Sequence, residues 1–263
     1  MNDSPSYPRT FHLVGSGLPS RSDRNRVDWS SLASRSLVIE EKMDGSETSF
    51  EFDDEFEAVL RYRGERLDIA SRGRSERQFD LLKDWIEANG AAYLDRLENR
   101  YRVYGEWLYA CHRVFYDALP SYFLEFDVFD RERQVFLDTP SRRRLLAGLP
   151  ALHSVRVVAT GRGGDLSHPS RLDCVSAFKS SDWKDSAFDA ARRSGLQPES
   201  FAGRMDLTDM GEGFYGKVEE DGVVAMRFKW VRPDFVAEIV NNGRHWKDMP
   251  IVPNRLASAT LRY

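Results

Sequence analysis

The residues of greatest chemical interest lie in Glu40–Ser46, where Lys42 stands between a strand-like run and a turn. The run 36–39 predicts a strand, and the Asp44-Gly45 pair predicts the turn that follows it. Burying an ammonium without a partner costs free energy, so a lysine here indicates an amine that could act as a nucleophile. We expect neighbouring cations to lower its pKa and supply the neutral form. An exposed lysine that enters a hairpin is the alternative that this short motif leaves open.

Three residues further along the chain could bind a nucleotide. Arg72, in a Ser-Arg-Gly loop, could pair with phosphate or ribose oxygens. Glu106 follows a glycine on a predicted strand and could accept hydrogen bonds from ribose hydroxyls. Phe126 lies in an aromatic strand and could stack on a purine. A solvated run of charge is the alternative interpretation of the loop around Arg72.

A second group of residues could bind phosphates and a metal ion. Glu212 could hold a metal ion or its waters. Arg227 and Lys229 alternate along a predicted strand, so both cations point to one face, where a triphosphate could lie. Lys217 could join the nucleotide site, or it could form a salt bridge with the acidic turn at 219–220.

These residues must be positioned by strands and turns, and the short alternating runs predict antiparallel hairpins. The Asn89-Gly90 pair is expected to interrupt or kink the first long helix. The segment 139–200 is predicted to be mainly helical, with one short strand. Strands are predicted at 36–41, 48–52, 58–62, 67–71, 101–110, 122–130, 155–159, 214–219 and 223–230, and further helices at 76–100 and 233–240.

Composition narrows the class of protein. The 263 residues are 41% hydrophobic and 30% charged, which suits one large domain or two small ones. The net charge of −4 gives no global basic field, so any nucleic acid must be held by local basic patches. No apolar run is long enough to span a membrane, and the N-terminus lacks the pattern of a signal peptide. The two cysteines are too few for a disulfide framework or a thiolate metal site, so we expect a cytoplasmic protein.

Six motifs follow one another between residues 42 and 232. They are Lys-x-Asp-Gly, Ser-Arg-Gly, Gly-Glu-Trp, Phe-Asp-Val, Glu-Gly-x-x-x-Lys and a basic residue followed by x-Lys. Their order and spacing resemble the ATP-dependent RNA ligases among the covalent nucleotidyltransferases, especially the nick-sealing branch and its bacterial relatives. Arg9–Leu13 also resembles the N-terminal segment of that family. One such motif is weak, whereas six in order are specific.

The resemblance implies a three-step mechanism that uses ATP. Lys42 attacks the α-phosphorus of ATP to form a lysyl-AMP, the AMP passes to an RNA 5′-phosphate, and a 3′-hydroxyl then displaces AMP to seal the strand. Such transfers depend on positioning and on charge neutralisation. By this resemblance the catalytic residues are Lys42, Asp44 and Lys229. The implied nucleotide site consists of Glu41, Lys42, Arg72, Glu106, Phe126, Glu212, Lys217, Arg227 and Lys229.

The resemblance also implies a divalent cation and an RNA partner. Mg²⁺ or Mn²⁺ would be held by Glu212 and Glu106, and together with Lys229 and Arg227 it would lower the pKa of Lys42. The implied substrate is RNA with 5′-phosphate and 3′-hydroxyl ends, which a separate end-healing kinase and phosphatase could prepare. The candidate RNA contacts are Arg72, Arg74, Arg77 and the arginine run 142–144.

Three departures from the family pattern bear on these expectations. Glu47 stands where many relatives carry asparagine, and a carboxylate there could bind metal or repel a 5′-phosphate. Arg227 replaces a more common lysine and keeps the charge. The chain continues for only 31 residues beyond Arg232, too few for the C-terminal OB-fold of DNA ligases and capping enzymes.

The expected fold is α+β: an ATP-grasp-like nucleotidyltransferase domain with two antiparallel sheets flanked by helices and no C-terminal OB domain. The domain is predicted over 36–240, with a packed but irregular arm at 1–35 and a tail at 241–263. Within the arm, His12 is expected to pack or hydrogen-bond rather than to catalyse. The alternatives are a DNA ligase or guanylyltransferase, or a non-catalytic nucleotide-binding repair factor. A covalent AMP adduct, and the choice between ATP and GTP, would separate them.

Overall fold

A computed structural model describes residues 7–17, 25–236 and 250–258. In these ranges the chain forms two β-sheets and several helices. The strands are β1 (Phe11–Leu13), β2 (Arg26–Val27), β3 (Ser36–Lys42), β4 (Ser46–Phe52), β5 (Ala58–Tyr62), β6 (Glu65–Leu67), β7 (Tyr101–Trp107), β8 (Phe123–Asp130), β9 (Val135–Phe136), β10 (His153–Ser154), β11 (Val157–Arg162), β12 (Gly213–Glu220) and β13 (Val223–Val231). The helices are α1 (Asp80–Leu97), α2 (Thr139–Leu146), α3 (Trp183–Arg193) and α4 (Pro198–Ala202), with 3₁₀ turns at Trp29–Leu32, Arg74–Phe79 and Pro169–Arg171.

The strands form two mixed sheets. The first has the order β11-β3-β12-β13-β1-β2, and the second has the order β10-β8-β7-β4-β5-β6 with β9 on β8. The α+β class and the two sheets are confirmed, but purely antiparallel pairing is wrong. Strand β1 pairs in parallel with both β13 and β2, and β10 pairs in parallel with β8. Parallel neighbours come from separate stretches of chain, so hairpin signals in the sequence could not reveal them.

The two sheets meet across an inner layer that forms the groove of the molecule. Side chains alternate across a strand, so β3 sends Glu40 and Lys42 to this layer and Leu37 and Ile39 to an outer core. Apolar residues of both sheets share the inner layer, among them Phe126 of β8 with Val224 and Val231 of β13. The chemistry-bearing residues of β3 are therefore fixed on the groove side by the alternation of the strand.

Helix α1 covers the outer face of the second sheet. Trp85 of α1 stacks on Phe123 of β8 with 5.0 Å between ring centroids, which buries large aromatic surfaces together. The pair Asn89-Gly90 was predicted to interrupt or kink this helix, and an interruption is wrong, because α1 continues through both residues. Asn89 donates its Nδ2 to the Trp85 carbonyl at 2.9 Å, so its amide bonds inside the helix and does not compete with it.

Other local predictions had mixed outcomes. The segment 139–200 is less helical than predicted, because β10, β11 and irregular stretches separate its helices. The strand predicted at 67–71 ends at Leu67 instead. The hairpin predicted between β12 and β13 is confirmed, and its turn residues Asp221 and Gly222 have φ of 53° and 80°. Two positive φ values are typical of the tight turns that match strand twist.

The described parts of both terminal segments pack on the sheets. The arm is more regular than predicted, since β1 and β2 extend the first sheet. Near the C-terminus, Asn254 donates to the Leu108 carbonyl at 2.8 Å and accepts from the Tyr116 amide at 2.9 Å. The helix predicted over 233–240 is described only as far as residue 236. None of the helices in the described ranges is long and apolar enough to cross a membrane, and the domain boundaries stay predictions.

Candidate active site

Lys42 is the last residue of β3 and faces the groove. Its Nζ donates to Glu212 Oε2 at 2.6 Å. Glu212 immediately precedes β12, whose first residue, Gly213, pairs with Lys42. A Cβ atom at position 213 would lie 2.1 Å from the Trp230 carbonyl oxygen, so only glycine allows β12 and β13 to approach this closely. This close pairing places Glu212 beside the amine.

Asp44 and Gly45 tie the end of β3 to neighbouring chain segments. Asp44 Oδ2 accepts hydrogen bonds from both backbone amides at 113–114 at 2.8 Å, and its own N–H donates to Tyr116 Oη at 2.9 Å. A Cβ atom on Gly45 would lie 2.7 Å from the Trp107 carbonyl oxygen, which leaves glycine as the residue that fits. The Asp-Gly pair therefore fixes where the strand ends and where the lysine is presented.

Carboxylates dominate the electrostatic surroundings of Lys42. Burial lowers the pKa of Lys42. The carboxylates of Glu212, Glu106 and Asp44 together raise this pKa by more than burial lowers it, so the net shift is upward. The expectation that neighbouring cations lower this pKa is therefore wrong for this arrangement of side chains. Glu212 lies 170 residues away along the chain, and such long-range convergence leaves no local pattern in the sequence.

Glu106 and Glu212 are the candidates for holding a divalent cation. Burial raises the pKa of Glu106 to about 8 despite the opposing charge of Lys42, with further contributions from Glu212, Glu47 and Asp44. Burial likewise raises the pKa of Glu212. Within the described ranges no three acidic, histidine or cysteine side chains form a preassembled metal cluster. Mg²⁺ commonly uses one or two carboxylates together with substrate phosphates, so this pair fits a cation that binds with a nucleotide.

Arg227 and Lys229 share the groove face of β13, as their alternation predicted, but they differ in their partners. Arg227 Nε donates to Asp127 Oδ2 and to Tyr7 Oη, each at 2.9 Å. No hydrogen bond or ion pair engages the ammonium of Lys229 in the part of the chain that the structure describes. Burial and the charge of Lys42 lower the pKa of Lys229, with partial compensation by Glu212. Lys229 is thus available to an anion, whereas Arg227 is already paired.

A buried charge network lies deeper in the groove. Lys217 Nζ lies 2.8 Å from Glu40 Oε2 and 3.1 Å from Asp127 Oδ1, and it donates to the Phe126 carbonyl. Arg142 pairs with the other oxygen of Glu40. Each of these ions has partners of opposite charge, which is the condition for burying it. We call this set the inner network: Glu40, Glu125, Asp127, Arg142, Lys217 and Arg227.

The inner network corrects two predictions about basic residues. Arg142 is fully buried against Glu40 and Glu125, so it cannot be the RNA contact predicted for the run 142–144, although the next two arginines are exposed. The salt bridge predicted as an alternative for Lys217, to the turn at 219–220, is also wrong. In both cases the partner comes from a distant strand.

Phe126 belongs to an aromatic cluster that the sequence predicted only in part. Tyr7 meets Phe126 edge-on with 5.3 Å between ring centroids, and Tyr215 lies tilted at 6.1 Å. Tyr7 Oη donates to Asp127 Oδ2 at 2.5 Å and lies 2.5 Å from Tyr215 Oη. The sequence did hold a signal for Tyr215, because Tyr215 lies two residues before Lys217 and so shares its face of the strand. Tyr7 comes from the distant arm and had no such signal.

The side chain of Glu41 points away from the groove, whereas that of Glu47 lies beside Glu106. Glu41 follows Glu40 on β3 and points away from the groove, where it accepts from Ser176 Oγ at 2.5 Å. The structure therefore does not bring Glu41 to the amine of Lys42. Glu47 pairs directly with Glu106 in the β4–β7 ladder and shares its face, and burial raises the pKa of Glu47.

Arg72, Arg74 and Arg77, which were predicted to bind RNA, precede α1. Arg72 donates through Nη2 to Asp84 Oδ1 at 2.8 Å, and Glu87 Oε2 lies 3.8 Å from Arg72 Nη2. Arg77 is exposed, and the side chain of Arg74 lies outside the described part. The contacts of Arg72 are thus on the helix surface, and its binding role stays a prediction.

A search among solved structures found similarities to RNA ligases. A Naegleria gruberi RNA ligase mutant with ATP and Mn is similar over 80% of this chain and 53% of its own, at 14% identity and a TM-score of 0.45. An archaeal ATP-dependent RNA ligase is similar over 90% of this chain and 56% of its own, at 15% identity and a TM-score of 0.49. The chain thus spans little more than half the length of these two relatives. A search among proteins of curated function found no match.

The family model described as RNA ligase matches residues 35–231. This range includes β3 with Lys42, the Glu106 and Glu212 carboxylates, and Lys229 at the groove face. The match extends over well more than half of the 263 residues. The chain belongs to the RNA ligase family.

Proposed function

We propose that the chain is an ATP-dependent RNA ligase that forms a lysyl-AMP on Lys42. The AMP then passes to the 5′-phosphate of an RNA end, which a 3′-hydroxyl attacks. The observation that supports this proposal most is the Lys42–Glu212 pair at 2.6 Å, in a groove also faced by Lys229, within a member of the RNA ligase family. RNA ends that carry other groups would need a separate kinase and phosphatase.

The amine of Lys42 must lose a proton before it attacks, because an ammonium has no lone pair. In the groove, Glu212 and Glu106 oppose this loss by holding the pKa of Lys42 up. Glu212 and Glu106 would hold a divalent cation, and carboxylates so engaged would stabilise the ammonium less and let the pKa of Lys42 fall. The cation, when bound, neutralises negative charge on the phosphates. Lys229 then contacts the α-phosphate from β13.

The inner network positions the residues that would hold the base. Lys217 donates to the backbone carbonyl of Phe126 and is fully buried, so it acts on the nucleotide site through Phe126 and Asp127. Phe126 and Tyr215 offer aromatic surfaces on the two sheets that face each other. Each ion of the inner network contacts a side chain of opposite charge, which suits a scaffold for a reaction that depends on positioning.

Labelled ATP with Mg²⁺ or Mn²⁺ tests the proposal directly. We expect an adduct that survives alkali and is labile to acid, as a phosphoramidate is, with AMP on Lys42. Lys42→Arg should form none, because a guanidinium stays protonated. The same variant should still seal RNA whose 5′ end already carries AMP, since that step does not use the amine as a nucleophile.

Lys179 provides the matched control. Burial lowers the pKa of Lys179 to about 8, and its ammonium lies 3.9 Å from the centre of the Trp183 ring. If a low pKa alone selected the nucleophile, Lys179 would be favoured over Lys42. We expect Lys179→Arg to keep full adduct formation. Peptide mapping that placed AMP on Lys179, Lys217, Lys229 or a hydroxyl would contradict the proposal.

The polynucleotide substrate is tested separately with the purified lysyl-AMP form. Nicked RNA, RNA-splinted DNA and single-stranded RNA should differ in their sealing rates, and nicked RNA is expected to be sealed fastest. A preference for nicked DNA would indicate a DNA ligase, and an adduct from GTP would indicate a guanylyltransferase. No adduct from either nucleotide would favour a non-catalytic nucleotide-binding protein.

A further inference from the structure

Three basic side chains lie in one row across neighbouring strands of the first sheet. His12 of β1 pairs directly with Lys229 of β13 on one side and with Arg26 of β2 on the other. Directly paired residues of neighbouring strands share a face, and the strands lie about 4.8 Å apart. The row therefore continues the groove face from Lys229 outward to the edge of the sheet.

The His12 ring is held at one nitrogen and open at the other. Nδ1 lies 3.3 Å from Ser16 Oγ, which itself accepts from the Val231 amide at 2.9 Å. Nε2 has no hydrogen-bond partner among the residues that the structure describes. Burial lowers the pKa of His12 to about 4, with the charges of Lys229, Lys42 and Arg26 adding to it. The imidazole is thus neutral near pH 7 and surrounded by positive potential.

The inner network engages Arg227, so other groups must meet the negative charges of the outer phosphates of a nucleotide. A nucleoside triphosphate brings several negative charges beyond its α-phosphate, and Arg227 was predicted to meet some of them. Arg227 is instead paired with Asp127 and Tyr7. On the other side of Lys229, away from Lys42, the neighbouring basic group is His12.

The in-line geometry of the displacement also points to the side of Lys229 where His12 lies. In an in-line transfer the leaving group departs on the side of the phosphorus opposite the nucleophile. Lys42 is on β3, and β12, β13, β1 and β2 follow it in order across the sheet. An α-phosphate placed between Lys42 and Lys229 therefore directs its leaving group toward His12 and Arg26.

We propose that His12, together with Arg26, binds the β- and γ-phosphates of ATP and the pyrophosphate that leaves. The inference rests on the proposed function, because it takes Lys42 as the nucleophile. The N–P bond forms at Lys42 Nζ while the Pα–O bond breaks, pyrophosphate keeps the electron pair, and the amine proton leaves to solvent. A polyanion beside the imidazole favours its protonated form, so Nε2 donates a charge-assisted hydrogen bond.

The reverse reaction isolates this subsite, since lysyl-AMP and pyrophosphate regenerate ATP. His12→Ala should raise the half-saturating pyrophosphate concentration by about tenfold, as expected for the loss of one charge-assisted hydrogen bond. Arg26→Ala, at an exposed position, should raise it about two- to fivefold. Both variants should seal pre-adenylylated RNA at the parental rate, because that reaction involves no pyrophosphate.

Two matched variants control for general effects of charge and packing. His168→Ala removes a histidine whose pKa is also lowered by burial, and Arg133→Ala removes an exposed arginine at the turn after β8. Both should leave the pyrophosphate dependence unchanged. The inference is overturned if His12→Ala and Arg26→Ala bind pyrophosphate like the parent, or if sealing of pre-adenylylated RNA falls as far as the reverse reaction.

Direct binding keeps this inference separate from the proposed function. If the parent forms no lysyl-AMP, the proposed function fails, yet calorimetry with magnesium pyrophosphate still tests the row. Binding by the parent that weakens in His12→Ala supports the subsite. Absence of binding by the parent, or equal binding by both proteins, contradicts it.

Discussion

Strand β3 carries two charged residues on one face that the fold treats in opposite ways. The side chain of Lys42 at the strand end is 24% exposed and hydrogen-bonds to one carboxylate, Glu212. Glu40, two residues earlier, is fully buried between Lys217 and Arg142. The residues share a strand and a face, and they differ in exposure.

Strand β13 repeats the contrast. Lys229 has no ion pair within the described ranges, and Arg227, two residues deeper, is paired with Asp127. Buried ions are tolerated only when fully paired, because the desolvation penalty is large. Near the mouth of the groove, water and substrate can serve as partners instead. We therefore expect the inner positions to act as scaffold and the outer ones to take part in the chemistry.

The largest expected loss of stability comes from breaking the inner network at Lys217. Lys217→Met leaves Glu40 and Asp127 short of a cation, and removing one partner of a buried ion pair costs about 3–5 kcal/mol. Thermal unfolding should show a clear drop in Tm. A Tm within one or two degrees of the parent would mean that Arg142 and Arg227 suffice to balance the network.

The outer partner in this comparison is Lys229. Lys229→Met should lower the rate of lysyl-AMP formation by about 10²–10³-fold, the usual effect of removing one group that stabilises charge in the transition state. Its Tm should change little, since no described ion pair is lost. Rapid-quench measurement of the adduct checks the rate. A large drop in Tm with a normal rate would reverse the assignment of scaffold and chemistry.

The sequence predicted the parts of this contrast that depend on local order. The strand that ends at Lys42 and the shared face of Arg227 and Lys229 follow from alternation, and both are confirmed. The hairpin predicted around Asp44-Gly45 is wrong, because β3 and β4 belong to different sheets. The parts that depend on distant contacts were not predictable. Nothing near Lys217 indicates that Glu40 and Asp127 surround it, because those partners come from other strands.

The same limit explains the errors about pKa and about the arm. The sequence shows two cations on β13 but not that carboxylates from three segments converge on Lys42, so the predicted direction of its pKa was reversed. Tyr7 and His12 reach the groove through a parallel strand, which leaves no hairpin signal. Local chemistry was therefore easier to predict than its surroundings.

Phe126 links the two regions, because Lys217 holds its carbonyl while its ring faces the groove. Phe126→Ala should raise the half-saturating ATP concentration for adduct formation, since base–aromatic stacking contributes about 1–3 kcal/mol. Phe126→Leu should retain more affinity through apolar burial. An alanine variant with parental ATP dependence but lowered Tm would show that the ring serves only the core.

Ionisation of Glu106 should make the stability of the protein depend on pH. Its pKa is raised from 4.5 to about 8, so the folded protein keeps a proton that the unfolded chain has lost across this window. Stability should therefore fall as pH rises from about 4.5 to 8 when a chelator excludes divalent cations. Glu106→Gln should flatten the fall in Tm over the same range. Equal slopes for parent and variant would mean that Glu106 is ionised throughout.

The smallest expected effect concerns Glu47, which lies opposite Glu106 in the β4–β7 ladder. Like charges directly opposite each other are destabilising, so Glu47→Asn should stabilise the protein slightly, by about 0.2–1 kcal/mol, above about pH 8, where Glu106 is ionised. It should also lower the pKa of Glu106, because Glu47 contributes to raising it.

Activity decides whether Glu47 belongs to the scaffold or to the chemistry. If Glu47 is not a ligand, Glu47→Asn should form lysyl-AMP at nearly the parental rate and should seal pre-adenylylated nicked RNA at least as fast, because a charge near the incoming 5′-phosphate is gone. Single-turnover rates of both steps, measured with Glu47→Gln as a second neutral variant, provide the test. A large loss confined to sealing, in both variants, would instead show that the carboxylate of Glu47 acts in that step.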